Sequence, residues 1–340
     1  MVSARATFGI GLGQLFPPGE NLRLAEAAEA LGFDRVSCAD NLFMRPVWPI
    51  LAAAAARTRR VEVGPLVTHP FLTHPAVIAA HVAQLDELSG GRAFLGIGRG
   101  AFYEQVGLAP PRPITAVLES IEVVARLLRG DRSGFAGEVF ALAEGAALRW
   151  TPLRPAVPIV VGSVGPQLAE LTAARADEFD VGFLLNPAHL AVLGRHLAAG
   201  ARRAGRDPAA VTLACGPVTA VDPDRAAALA LVRRHLALFL PVLARQAGFP
   251  PVDPAEIAGV ESALRRDGPD AAGRRIGDAT VRAYALAGTP EDLIPRLQAL
   301  LALGVRHVTF CAPLGPDRVA AVRLLGERVL PAVAAARPLG

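Results

Sequence analysis

The chain has 340 residues, a formal net charge of +4 and a hydrophobic content of 52%. This length allows one large α/β barrel or two smaller domains. The arginines are scattered and form no dense basic run interleaved with aromatic residues, which argues against a nucleic-acid-binding protein. Cys38, Cys215 and Cys311 lie far apart without CxxC spacing, so neither a disulfide framework nor a zinc site is expected.

The N-terminal segment leads directly into a strand-like sequence. It lacks a charged start followed by an apolar core, so we expect no signal peptide and a cytoplasmic protein with reduced thiols. No stretch approaches the 18 uncharged apolar residues of a membrane span, and we expect no membrane association.

Strand-like and helix-like segments alternate along most of the chain, which is typical of βα units and a parallel sheet. The predicted strands are Thr7 to Leu12, Arg35 to Ala39, Val61 to Thr68, Arg92 to Ile97, Pro158 to Val161, Asp180 to Leu185, Val211 to Thr219 and Val305 to Cys311. The predicted helices are Asn21 to Leu31, Val47 to Thr58, Pro75 to Leu88, Ile114 to Leu128, Pro166 to Arg175, Ala188 to Ala204, Pro290 to Leu303 and Arg318 to Ala335.

Two insertions interrupt this alternation. Gly134 to Trp150 has the alternating pattern of a hairpin and follows the fourth helix. Asp222 to Ala287 follows the seventh strand and is predicted to be helical, with interruptions at Gly248 to Pro254 and Gly268 to Gly273. Eight strands with following helices predict a (β/α)8 TIM barrel in one domain over residues 1–340, and a doubly wound open sheet is the competing fold.

The C-terminal ends of barrel strands carry the chemistry in such folds, so the residues at those positions are the candidate site. Asp40 and Asn41 follow the second strand; Asp40 is either a base or ligand anchor, or a helix cap. The candidate binding residues are Gly64, Pro65, Leu66, Val67 and Thr68 at the third strand, Gly98, Arg99 and Gly100 after the fourth, and Gly162, Ser163, Val164 and Gly165 after the fifth.

Each of these segments has a ligand interpretation and a purely structural one. Pro65 cannot donate to a strand ladder, so it indicates either a bulge that points backbone at a ligand or a plain strand end. Gly98 to Gly100 either lets a flat ligand approach or forms a turn. Gly162 to Gly165 precedes a helix starting at Pro166, so Ser163 either helps to bind a phosphate or caps the helix.

A metal site is the weakest of the alternatives. His69 and His74 lie five residues apart on a proline-containing loop, and Asp40 is the only obvious third ligand. Because the i, i+4 spacing of helical ligands is absent, we predict no bound metal.

Several motifs, in the same order, resemble those of the luciferase-like oxidoreductases. The segments are His74-Pro75-Ala76-Val77, Leu85-Asp86-Glu87-Leu88-Ser89-Gly90-Gly91-Arg92 and Leu95-Gly96-Ile97-Gly98. Within that superfamily, Ala287-Gly288-Thr289-Pro290-Glu291, Gly304 to Val308 and Pro313 to Asp317 are similar to the F420-dependent methylene-tetrahydromethanopterin reductases. The resemblance covers nearly the whole chain.

The resemblance implies a barrel whose third strand carries a bulge with a non-prolyl cis peptide between Pro65 and Val67. That bulge would back the central ring of a flavin or deazaflavin, the loop at Gly162 would hold its phosphate, and Gly98 to Gly100 would line the ring. The sequence departs from the reductases at three positions. Gly11 and Ala101 replace acidic residues, and Asn41 stands where a histidine is common.

The resemblance therefore implies an F420-dependent reductase or dehydrogenase that transfers hydride to or from a small organic substrate. An FMN-dependent monooxygenase and a non-catalytic flavin-binding barrel are the alternatives. Since family members commonly dimerise, we expect a homodimer.

Overall fold

A computed structural model describes residues 5–245 and 252–335. Its strands are β1 Thr7–Leu12, β2 Arg35–Cys38, β3 Glu62–Pro65, β4 Leu95–Gly98, β5 Phe135–Ala136, β6 Ala141–Leu142, β7 Ile159–Gly162, β8 Glu178–Asp180, β9 Thr212–Cys215, β10 Val218–Val221, β11 Ala285–Gly288 and β12 Val305–Leu314. Eight of them pair in parallel in the order β3-β2-β1-β12-β9-β8-β7-β4. Parallel bridges from Val63 to Ala93 and from Thr68 to Ile97 join the two ends, which confirms the predicted barrel.

Helices cover the outside of the barrel and bury its apolar strands. They are α1 Pro18–Ala30, α2 Val47–Arg57, α3 Pro75–Ser89, α4 Pro113–Arg129, α5 Pro166–Thr172, α6 Pro187–Arg203, α7 Arg225–Leu243, α8 Pro254–Asp267, α9 Pro269–Gly273, α10 Asp278–Tyr284, α11 Pro290–Ala302, α12 Arg318–Leu324 and α13 Leu330–Ala335, with a π-helical turn at Leu325–Val329. Gly90 and Gly130 end α3 and α4 in the left-handed conformation that glycine adopts readily.

The predicted seventh strand is wrong as one continuous element. It is divided into β9 and β10 around Gly216 and Pro217, and β10 pairs with β11 and with the outer end of β12. The insertion from Asp222 to Ala287 is therefore not wholly helical, because Ala285 and its neighbours complete this second small sheet. Residues 246–251, which overlap the predicted interruption at Gly248 to Pro254, lie outside the described residues.

The predicted sixth strand is displaced. β8 ends at Asp180, where the prediction has the strand begin, and the following apolar segment forms a turn. The reason is local: the N–H of Gly182 donates to Asp180 Oδ1 at 2.6 Å, and Gly182 has a φ of 61°, which ends the extended backbone.

The segment after α4 forms a short antiparallel hairpin from β5 and β6. The carboxylate of Glu119 in α4 anchors it, since it accepts hydrogen bonds from the backbone N–H groups of Glu138, Val139 and Phe140 at 2.6 to 2.9 Å.

One described helix, α7, is long and apolar enough to cross a membrane, with a mean hydropathy of 1.6 over its most apolar window. In this structure the same helix packs on β10, β11 and α9. Core helices of globular proteins reach the same hydropathy, so length and composition alone are weak evidence for a span.

A buried ion-pair network closes the N-terminal end of the barrel. The guanidinium of Arg35 in β2 donates to Glu178 at 2.7 Å and to Glu62 at 2.9 Å, and its Cζ lies 4.4 Å from the centre of the Phe94 ring. These contacts satisfy the charges on that side of the core.

Candidate functional site

A cavity of about 620 Å³ lies at the C-terminal ends of β3, β4, β7 and β8. Most of the predicted binding residues meet there, and Leu66, Val67, Arg99, Gly100, Gly162, Ser163, Val164 and Gly165 all line it. Gly64, Pro65, Thr68, Gly98, Asp40 and Asn41 do not belong to its lining. The size is in the range of ligand sites, and the position is the one that barrel enzymes use.

The wall formed by β3 contains the predicted non-prolyl cis peptide, which is confirmed between Leu66 and Val67. The backbone on either side is held by neighbouring strands. Leu66 N donates to Cys38 O at 2.8 Å, and Thr68 N donates to Gly96 O at 2.9 Å. The irregular segment is therefore fixed between β2 and β4 with its backbone at the cavity.

The side chain of Val67 explains two of the predicted binding glycines. A Cβ on Gly162 would lie 2.7 Å from Val67 Cγ1, and a Cβ on Gly98 would lie 2.8 Å from Val67 Cγ2. Gly64 likewise has the backbone oxygen of Phe94 where a side chain would stand. Packing of the bulge therefore requires these glycines, whether or not a ligand approaches them.

Asp40 lies behind the bulge and not on the cavity surface. Its Oδ2 accepts a hydrogen bond from Thr68 Oγ1 at 2.7 Å, and its backbone N–H donates to Val67 O at 3.3 Å. It does not cap α2, whose N-cap residue is Pro46. Asn41 bonds through its backbone and side-chain N–H groups to Gln14 Oε1, each at 3.1 Å.

His69 and Tyr103 form a buried pair next to Gly100, and the predicted binding set omits both. Their rings meet edge to face with centroids 5.3 Å apart, and Tyr103 Oη donates to Arg99 O at 2.8 Å. A side chain on Gly100 would collide with both rings. Burial lowers the pKa of His69, although the charge of Asp40 opposes that shift, and its Nδ1 has no hydrogen-bond partner among the described residues.

The loop from Gly162 to Gly165 leads into α5 as predicted. Ser163 Oγ accepts from Gly165 N at 3.0 Å, and Ser163 N donates to Asp180 O at 2.9 Å. Ser163 therefore caps the turn with its oxygen, while its O–H hydrogen remains able to donate. Gly165 has open space around it, because only Ser163 Oγ lies within 4 Å of a Cβ built there.

Asp180 is the functional candidate that the sequence analysis did not identify. It lines the cavity, is only 3% exposed, and lies beside Gly162 in the register of β7 and β8. Because the sixth strand was predicted to begin at Asp180, this residue was assigned to the opposite end of the barrel. The displaced strand brings its carboxyl to the end where ligands bind.

The histidines and carboxylates do not form a metal centre in the part of the chain that the structure describes. No three of its His, Cys, Asp or Glu side chains are grouped closely enough to bind a metal ion. His74 instead caps α3, where its Nδ1 accepts from Ala76 N at 3.1 Å.

Comparison with known proteins gives consistent results over the whole chain. The family model described as luciferase-like monooxygenase matches residues 1–307. A 5,10-methylenetetrahydromethanopterin reductase of Methanolobus tindarius is 31% identical over 335 residues, which cover 95% of this chain and 99% of the reductase. An F420-dependent glucose-6-phosphate dehydrogenase of Nakamurella multipartita is 31% identical over 339 residues, which cover 93% of this chain and 93% of the dehydrogenase.

The fold comparison agrees. The solved structure of the coenzyme F420-dependent tetrahydromethanopterin reductase from Methanopyrus kandleri superposes with a TM-score of 0.87 at 25% identity, covering 96% of this chain and 99% of that one.

Proposed function

We propose, from the fact that this chain belongs to the luciferase-like monooxygenase family, that it is an F420-dependent oxidoreductase that transfers hydride between the deazaflavin and a small organic substrate. The relatives at 31% identity that span the chain are named for F420-dependent or tetrahydromethanopterin-linked redox reactions. The structure adds no observation that favours the second alternative, a non-catalytic barrel.

The observation that carries the proposal is the cavity of about 620 Å³ at the C-terminal ends of β3, β4, β7 and β8. Leu66, Val67, Arg99 and Gly100 line it. The loop from Gly162 to Gly165 also lines the cavity, and the open space at Gly165 leaves room for a phosphate near the Ser163 hydroxyl. A planar ring with a phosphorylated tail fits this arrangement.

When bound, the deazaflavin supplies the hydride chemistry, and the protein binds and orients the reactants. Leu66 and Val67 would support the ring, Arg99 and Gly100 would border it, and Ser163 with Gly165 would contact the phosphate. Asp40 would act from behind the bulge by holding Thr68, and Asn41 would take the place of the histidine that is common in the family.

The remaining parts of the proposal follow the family pattern. The chain would form one domain over residues 1–340, assemble as a homodimer and act in the cytoplasm on a small molecule, without a metal ion. Neither nucleic acid nor a membrane would be a partner.

The decisive experiment is a fluorescence-quenching titration of the purified protein with F420 and, separately, with FMN. We expect F420 to bind at least ten-fold more tightly than FMN, a difference of about 1.4 kcal/mol. Micromolar binding of FMN with no detectable binding of F420 would contradict the proposal and favour the FMN-dependent monooxygenase.

A further inference from the structure

One residue that lines the cavity, Asp180, carries a buried carboxyl oxygen without a hydrogen-bond partner among the described residues. Asp180 ends β8 on the side of the barrel where catalytic groups lie, and it lines the cavity. Its Oδ1 accepts from Gly182 N at 2.6 Å, but its buried Oδ2 has no hydrogen-bond partner among the described residues. Because a buried polar atom without a partner costs free energy, this oxygen needs an explanation that the fold alone does not give.

The groups around Asp180 favour its neutral form. Burial and the nearby carboxylate of Glu178 raise the pKa of Asp180 to about 7. The other titratable groups that face it are Arg35 from β2, Cys215 from β9 and Cys311 from β12. Arg35 is the only cation among them, and Glu178 and Glu62 already hold its guanidinium. Asp180 can therefore hold a proton near neutral pH and release it to an acceptor.

We propose, on the basis of the function proposed above, that Asp180 is the acid–base group of this site and that its protonated carboxyl donates to the oxygen of a carbonyl substrate. In the reducing direction, Asp180 would give its proton to the carbonyl oxygen, and the carbonyl carbon would receive the hydride that the reduced deazaflavin supplies. The carbon–oxygen π bond would break, C–H and O–H bonds would form, and the product would be an alcohol. Both electrons would come from the reduced deazaflavin, and the carboxylate of Asp180 would regain a proton from solvent.

This assignment fills a gap that the sequence leaves. Gly11 and Ala101 occupy the positions at which the resembling reductases carry acids, so those positions supply no proton donor. Asp180 lines the cavity from β8, and Leu66 and Val67, where the ring is proposed to bind, line the same cavity.

An acid that donates a proton to the substrate must remain protonated when the cofactor is bound. F420 binding removes water from the cavity, which disfavours the carboxylate, so binding above pH 7 should take up a proton. Calorimetric titration with F420 at pH 8, in two buffers of different ionisation enthalpy, measures this uptake. We expect it to approach one proton per F420 bound, and the wild-type Kd to rise by up to about ten-fold per pH unit above 7.

The same titration is repeated with Asp180→Asn, in which the proton uptake assigned to Asp180 should be lost. Any titration of the cofactor itself contributes equally to both proteins.

Asp177→Asn is the matched control. Asp177 is half exposed, and it accepts a hydrogen bond from Ile159 N at 2.8 Å, which the side-chain oxygen of asparagine can also accept. It should behave as the wild type. The proton uptake of the wild-type protein tests the proposal even if a variant fails to fold.

The outcomes separate the two proposals. F420 binding without proton uptake, or with equal uptake in Asp180→Asn, would overturn the role of Asp180 and leave the proposed function in place. Absence of F420 binding at every pH would overturn the proposed function and this inference together.

Discussion

Two buried carboxylates on β8 differ in how their charge is satisfied. Glu178 faces the N-terminal end of the barrel and receives a hydrogen bond from Arg35 at 2.7 Å. Asp180, two residues later, lies at the cavity, and its Oδ2 has no partner among the described residues. The strand is the same and both side chains are buried, so the difference comes from what each end of the barrel contains.

The comparison separates a structural charge from a functional one. At the N-terminal end, the ion pair with Arg35 offsets part of the cost of burying Glu178, although burial still raises the pKa of Glu178. Removal of one partner leaves a buried charge. At the C-terminal end, Asp180 lines the cavity, where we propose that a ligand supplies the partner. The first arrangement serves the stability of the fold, and the second is the one that we assign to ligand binding.

The largest expected effect is the loss of the ion pair at the N-terminal end. Arg35→Met should lower the free energy of unfolding by about 3 to 5 kcal/mol, because the buried carboxylate of Glu178 loses its cation. Urea denaturation monitored by circular dichroism measures this change.

The double variant Arg35→Met/Glu178→Leu is the control. An apolar pair removes both charges, so it should recover most of the lost stability. If Arg35→Met unfolds at the same urea concentration as the wild type, the network is not what stabilises that end.

The second expected effect is a pH-dependent gain in stability for Asp180→Asn. The pKa of Asp180 is about 7 in the folded protein because of burial, against 3.8 without it. At pH values between 3.8 and about 7, the folded state binds more protons than the unfolded state, so the free energy of unfolding of the wild type falls as the pH rises. The asparagine variant should therefore be more stable by about 2 to 4 kcal/mol at pH 8, with little difference near pH 4.

Urea denaturation of both proteins at pH 5 and pH 8 tests this sign. A stability difference that is the same at both pH values would show that Asp180 does not titrate in this range, and the contrast with Glu178 would lose its basis.

The sequence predicts the barrel well because each βα unit carries its own periodic pattern. It fails where tertiary contacts decide the element. The apolar segment after Asp180 has the composition of a strand, yet the hydrogen bond to Gly182 N ends the strand first. The small strand at Ala285 has no pattern that distinguishes it from the helices before it, and it forms because β10 lies alongside.

The candidate site was predictable in outline but not in its packing. The cis peptide followed from the resemblance, since no local pattern separates it from an ordinary proline-containing strand end. The reason for Gly98 and Gly162 lies in the side chain of Val67, which occupies the space where their side chains would stand. Asp180 could have been identified only if its strand had been predicted to end, and not to begin, at this residue.

The smallest expected change in stability distinguishes glycines required by packing from glycines required by a ligand. Gly162→Ala places a Cβ 2.7 Å from Val67 Cγ1 and should lower the free energy of unfolding by about 1 to 3 kcal/mol. Gly165→Val has only Ser163 Oγ nearby, at 3.6 Å, and has an ordinary φ of −88°. It should cost less than about 1 kcal/mol of stability.

Cofactor binding should reverse the order of the two variants: Gly165→Val, which loses less stability, should lose more affinity for F420. A valine side chain at Gly165 would occupy the cavity wall where we propose that the phosphate binds, and one lost charged hydrogen bond costs about 1.5 to 3 kcal/mol. The Kd for F420 should therefore rise roughly ten-fold or more in Gly165→Val, while circular dichroism shows a native fold. Fluorescence titration of this variant and the wild type measures the change. An unchanged Kd in folded Gly165→Val would mean that the phosphate binds elsewhere, and the positions proposed for the phosphate and for the ring would both have to be reassigned.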